Sequence, residues 1–227
     1  MNILDYIFEQ TGISLTEEMQ RQLNCYCEFL LAENEKYNLT AITEPQAVWQ
    51  KHFADSILGS CFLPQGATLC DIGSGAGFPS LPLKIARPDL SVTLVDSLEK
   101  RINFTDTLCQ KLNIKAQFVH SRAEDFAKTH SETFDIATAR AVAPLPILLE
   151  YTAQIVKLGG IVLAYKTDLT EVNSVQNACK LLGLRFAESK NFVLPDDSKR
   201  CLLVFEKIAH TPPKYPRGQN KPRKMPL

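Results

Sequence analysis

The stretch TLCDIGSGAGFPSLPLKIA, Thr68 to Ala86, opens on a short apolar run ending at Asp71 and passes through Gly73, Gly75 and Gly77 at alternate positions. It continues with Leu81, Leu83 and Ile85 at helical spacing, so the order predicts a strand, a tight turn and a helix. Glycines are required where the backbone takes positive φ or lets a ligand lie close, and the following helix offers free N–H groups to an electronegative atom. The turn therefore reads as the seat of a nucleotide-bearing ligand. The dinucleotide fingerprint wants a third small residue three positions after the second glycine, yet position 78 is Phe and the third glycine falls at 77. A pyrophosphate is disfavoured.

On the carboxyl side the chain alternates strand and helix patterns. SVTLVDS ends a second strand on Asp96, AQFVHS forms a third, FDIATAR a fourth ending at Arg140, and a fifth runs from Gly160 to Tyr165. Helices are expected over Leu98–Leu112, Leu145–Val156 and Thr170–Leu182, and the last two strands, joined by PDDSK, form an antiparallel hairpin. This is a doubly wound α/β sheet with right-handed crossovers. On the amino side three helices are expected: a short one from Ile3, a second with Ser14 and Glu17 at capping-box spacing, and a third from Pro45 to about Leu58. The expected division is an N-terminal helical cap (1–64), an α/β body (65–207) and a tail (208–227).

Composition narrows the class. Apolar residues make up 45% of the 227, enough for a packed core, and no apolar run is long enough to span a membrane. The N-terminus carries acids where a signal peptide would carry bases, so a soluble cytoplasmic protein is expected. The 7 cysteines include no C-x-x-C pair, which argues against a disulfide framework or a metal site. Net charge is zero but uneven: residues 1–60 hold nine acids and three bases, while 208–227 hold Lys214, Arg217, Lys221, Arg223 and Lys224 with no acid. Such a tail cannot build a core and suits phosphate contact.

Ligands of open α/β sheets bind beyond the carboxyl ends of the strands. Asp96 stands where a carboxylate accepts two hydrogen bonds from a ribose, and Glu124 where an acid meets an adenine edge. Arg140 ends an apolar strand at the cleft floor, so a carboxylate, phosphate or base edge must lie near it; a structural pairing with an acid such as Glu124 is the competing reading. Asn38, His52, Asp55 and Ser56 are polar residues of the cap for which capping or a satisfied hydrogen bond is the expected role.

An acidic residue before G-x-G-x-G resembles the first motif of class I S-adenosylmethionine-dependent methyltransferases, which are Rossmann-like. GFPSLPL, LVDSLEKR, SRAEDF, TARAVAPL, the NLTAIT turn with HFADS, and YPR together resemble the small-ribosomal-subunit (16S) rRNA guanine-N7 methyltransferase family over nearly the whole chain. The resemblance implies S-adenosylmethionine contacts at Gly73, Phe78, Ala123, Glu124 and Arg140, with Asp96 at the ribose and Gly75 and Gly77 completing the loop. Ser80 stands where most members have glycine. It implies methyl transfer to N7 of a guanine, with S-adenosylhomocysteine as product, Arg140 as the catalytic residue and no general base. It also implies 16S rRNA or the small subunit as partner; a monomer with no DNA, membrane or metal partner is expected. Lys100, Arg101, Lys166 and the five tail bases are the candidate RNA contacts. A small-molecule methyltransferase of the same fold and a noncatalytic ribosome-binding factor are the alternatives.

Overall fold

The computed structural model describes residues 2–227. A seven-stranded sheet runs β3-β2-β1-β4-β5-β7-β6, with β1 (Thr68–Ile72), β2 (Ser91–Asp96), β3 (Gln117–His120), β4 (Phe134–Arg140), β5 (Val156–Lys166), β6 (Leu184–Val193) and β7 (Lys199–Lys207). The first five strands pair in parallel, and β7 inserts antiparallel between β5 and β6. Strand order reverses between β1 and β4, so the crevice opens there, at the carboxyl ends.

Alternation along the strands assigns the two faces. In β5 and β7, Leu163, Tyr165, Leu202 and Val204 enter one core, while Val162, Ala164, Cys201, Leu203 and Phe205 enter the other. The first core packs against the cap and against α5 (Ser80–Ala86) and α6 (Glu99–Leu112); the second packs against α7 (Ala123–Thr129), α8 (Leu145–Ala153) and α9 (Gln176–Leu182). In β4, past the register shift that follows Phe134, Ile136 enters the cap-side core. The same parity sends Thr138 and Arg140 toward the cap.

The cap comprises α1 (Ile3–Thr11), α2 (Glu17–Tyr37), α3 (Pro45–Val48) and α4 (Asp55–Ile57). The α2 cap is Thr16, whose side chain accepts from Met19 N at 3.3 Å, and not Ser14; Glu17 is already the first helical residue and cannot close a capping box. The expected Pro45–Leu58 helix is interrupted: Trp49–Ala54 forms a π turn, and Leu58–Phe62 tightens to a 3₁₀ turn. At Gly59 a Cβ would stand 1.9 Å from the Tyr165 hydroxyl, so only glycine lets this turn approach β5 so closely.

The chain after β7 is not a solvated arm. Tyr215, Pro216 and Pro222 are buried, and the short helix α10 (Lys221–Lys224) lies over α8. Arg217 clamps Glu150 of α8, which is fully buried, through its backbone N (2.8 Å), Nε (2.9 Å) and Nη2 (2.7 Å). All seven cysteines are free thiols. No helix among the described residues is long and apolar enough to cross a membrane.

Candidate active site

A cleft of about 360 Å³ opens at the strand-order reversal, lined by the glycine loop, Asp96, Ser121–Glu124 and Arg140–Val142. Gly73 and Gly75 have φ of 71° and 57°, and a Cβ on Gly75 would meet only Gly73 O, at 4.0 Å. At Gly75 the loop thus shows bare backbone to the cleft, whereas a Cβ on Gly73 would collide with Val142 Cγ2 at 2.7 Å. Gly77 does not line it: its Cβ would collide with Leu81 Cδ1 at 2.5 Å and the Tyr26 hydroxyl at 2.9 Å. Gly77 is required by packing beneath the loop, which corrects its reading as a ligand contact.

Asp96 closes β2 with its carboxylate buried. Oδ2 accepts from Gly75 N at 3.0 Å and Oδ1 from Leu98 N at 2.9 Å, which fixes the group and leaves Oδ1 a free lone pair. Arg101 approaches Oδ2 at 3.4 Å. Below the loop, Asp71 is fully buried, accepts from Ser80 N at 3.3 Å, and is pushed up to about 7 by burial. Its Oδ1 and the buried Ser74 Oγ have no protein partner. Ser80 makes its bond to Asp71 through its backbone N, while its buried Oγ has no hydrogen-bond partner.

Arg140 is the best-connected residue of the cleft. Nη1 donates to Asp55 Oδ2 at 2.9 Å and to Lys51 O at 3.3 Å, Nη2 contacts His52 Nδ1 at 2.9 Å, and the guanidinium lies 4.9 Å over the Phe78 ring. The acid beside it is Asp55 of the cap, not Glu124. Asp55 also pairs with Arg200 of β7 at 3.1 Å, so one buried carboxylate serves two guanidinium groups. Burial raises the Asp55 pKa, and the two arginines oppose that shift. Directly after Arg140, Ala141 takes φ 57°, an unfavourable conformation for a residue with a Cβ, and this turns Ala141 and Val142 into the cleft wall.

Phe78 is stacked on both sides. Tyr26 of α2 lies 5.3 Å away and His52 of the π turn 4.4 Å away, so three parallel rings join the cap to the glycine loop. The Tyr26 hydroxyl donates to Ala76 O in the same loop. His52 and Thr40 line the cleft; His52 was expected to satisfy a hydrogen bond in preference to a ligand role, and Thr40 was not singled out. The spacing of His52 and Asp55, three apart on a helical segment, was a signal that both face one way. Of the other cap polar residues, Asn38 ends α2 in a left-handed conformation and Ser56 Oγ donates to His52 O.

The candidate RNA contacts divide. Lys100 donates to Tyr37 O at 3.2 Å and stays exposed; Lys166 is bound to Glu171 at 2.7 Å and largely buried. Lys214 lies over Tyr215, and Arg217 is committed to Glu150 and to Met225 O. Lys221 and Lys224 are exposed, with no ion-pair partner among the described residues. Arg223 lines the cleft with Asn220 and donates to Val142 O at 3.3 Å.

Comparison with known proteins follows the same outline. The rRNA small subunit methyltransferase G family matches residues 19–198. The ribosomal RNA small subunit methyltransferase G of Streptococcus sanguinis (strain SK36) is 46% identical over 229 residues, covering 97% of each chain. Its namesake in Bacillus cereus (strain B4264) is 44% identical over 237 aligned positions, covering 100% of this chain and 99% of the other. A SAM-dependent methyltransferase from Aquifex aeolicus, 18% identical, superposes with a TM-score of 0.53 over 79% of this chain and 98% of that one, which shows the shared Rossmann-like class I methyltransferase fold. With the match running from the cap through the glycine loop to the hairpin, the chain belongs to the rRNA small subunit methyltransferase G family.

Proposed function

We propose that this protein transfers a methyl group from S-adenosylmethionine to N7 of a guanine in 16S rRNA. The observation that carries the reading is the pairing of a bare glycine loop with the buried Asp96 carboxylate across one cleft. Asp96 would accept the ribose hydroxyls, Gly73 and Gly75 would admit the methionine half against bare backbone, and Ala123 and Glu124, opening α7, would meet the adenine edge. Ser74, whose Oγ has no protein partner, lies in the cleft lining and fits a ligand with a polar atom on that side. Bound there, the sulfonium supplies an electrophilic methyl group.

Guanine N7 offers a lone pair with no proton to remove, so the protein needs orientation and charge placement and no general base. The β4 exit agrees: an enzyme acting on an exocyclic amine would carry a D/N-P-P-Y type turn there, and this chain carries Arg140, Ala141 and Val142. Arg140 lies at the cleft floor, where its guanidinium can meet the base or the cofactor. Lys100, Lys221 and Lys224, exposed and basic, suit the RNA backbone. The test is transfer of labelled methyl from S-adenosylmethionine to small subunits, naked rRNA and small acceptors, followed by mapping of N7-methylguanine. Label confined to N7 of a guanine in rRNA is expected; label on an amine or a small acceptor only, or no transfer, overturns the reading.

A further inference from the structure

A guanidinium has donors only, so the contact between Arg140 Nη2 and His52 Nδ1 requires Nδ1 to be the acceptor and to carry no proton. The ring proton then sits on Nε2, 2.8 Å from Thr40 Oγ, to which it donates. Thr40 is itself fixed: Oγ accepts from Ile42 N at 3.0 Å, and Asn34 of α2 accepts from the backbone N of Leu39 and Thr40. A chain of contacts thus runs from α2 through the turn after it and the π turn to the end of β4. Burial, and next the Arg140 charge, push His52 down to about 3, which keeps it neutral.

We propose, resting on the methyl-transfer reading above, that His52 is a positioning residue that fixes the plane of the Arg140 guanidinium without adding charge beside it. Asp55 already supplies one negative charge against Arg140 and Arg200. A second acid at position 52 would cancel more of the positive charge on the cleft floor, whereas a neutral imidazole orients the group and leaves that charge in place. Phe78 beneath both planar groups limits their tilt. Among the described residues the Arg140 Nε–H has no hydrogen-bond partner, so an N–H group remains for the cleft that Arg140 lines.

The test uses the full chain with small subunits and three variants. The amide oxygen of Asn falls near the place of Nδ1, while that of Gln falls near Nε2, so only His52→Asn keeps an acceptor for Arg140. His52→Ala and His52→Gln should lower kcat by about tenfold or more, with the KM for rRNA substrate within about twofold, and His52→Asn should recover most of the loss. Nitrogen-15 spectra of the parent should show His52 as the Nε2–H tautomer. Gln matching or exceeding Asn, a rise in KM at unchanged kcat, kcat falling only in step with melting temperature, or an Nδ1–H tautomer would each overturn the proposal. A parent without methyl transfer would sink the functional reading alone, because the tautomer still decides the His52–Arg140 contact.

Discussion

The cap and the C-terminal segment both reach the cleft, but opposite arrangements of charge hold them. In the cap one carboxylate, Asp55, lies between Arg140 and Arg200, all three largely buried, so the site keeps an excess of positive charge. In the C-terminal segment one arginine, Arg217, meets one fully buried carboxylate, Glu150, and the pair is neutral. A guanidinium excess facing a cleft is available to a substrate; a matched pair behind a helix serves attachment.

The sharpest way to break the cap side is Asp55→Ala. It leaves two mostly buried guanidinium groups without their carboxylate and should cost about 3–5 kcal/mol in urea unfolding. The tail pair should show an asymmetry. Arg217→Ala leaves a buried carboxylate with only the backbone N, costing about 1–3 kcal/mol, whereas Glu150→Ala frees a side chain 23% exposed that water can solvate, and should cost less. Equal losses from the two would remove the contrast.

Arg140→Lys tests the assignment of the cap pair to function. Lysine keeps one charge but cannot fork between Asp55 and His52, so methyl transfer should fall by about tenfold or more, equivalent to at least ~1.4 kcal/mol of transition-state stabilisation. Its melting temperature should shift far less than that of Asp55→Ala. Full activity, or activity lost only with unfolding, would make Arg140 structural.

Smaller effects sharpen the other side. Replacing Lys214, Lys221 and Lys224 with Gln should flatten the salt dependence of RNA binding by up to about 0.7–0.9 per lost phosphate contact, leaving stability unchanged. Including Arg217 should add a stability loss that the lysines do not. A separate effect, read against pH, concerns Asp71, whose pKa is pushed up by burial from 3.8 to about 7. Between those values the folded state holds a proton that the unfolded state has released. Stability on this account is full near pH 4 and falls as pH rises to 7, and Asp71→Asn should flatten that slope in melting curves.

The succession of strands and helices, the glycine loop and the placement of Asp96 and Arg140 at strand ends were legible because they rest on local periodicity and turn chemistry. The partner of Arg140 was not, because it depends on which face the cap covers. Strand parity carried half of the answer: Ile136, Thr138 and Arg140 share one side of β4. The other half was the spacing of His52 and Asp55, but a π turn is a departure from regular helix that apolar spacing does not announce. For the tail, the basic charge of 208–227 was plain and its attachment was not. The available signal lay elsewhere, in Glu150, a lone acid within the apolar run Leu145–Ala153 that requires a cation to cover it.

The position of Arg223 in the cleft wall bears on assembly. The glycine loop and Asp96 belong to the first strands of the sheet, yet the wall they face includes Asn220 and Arg223. All seven strands lie within residues 68–207, so the sheet can form while one side of the pocket is still missing. Closure awaits the docking of 220–224 on α8, so the finished pocket depends on a segment that lies after every strand of the sheet.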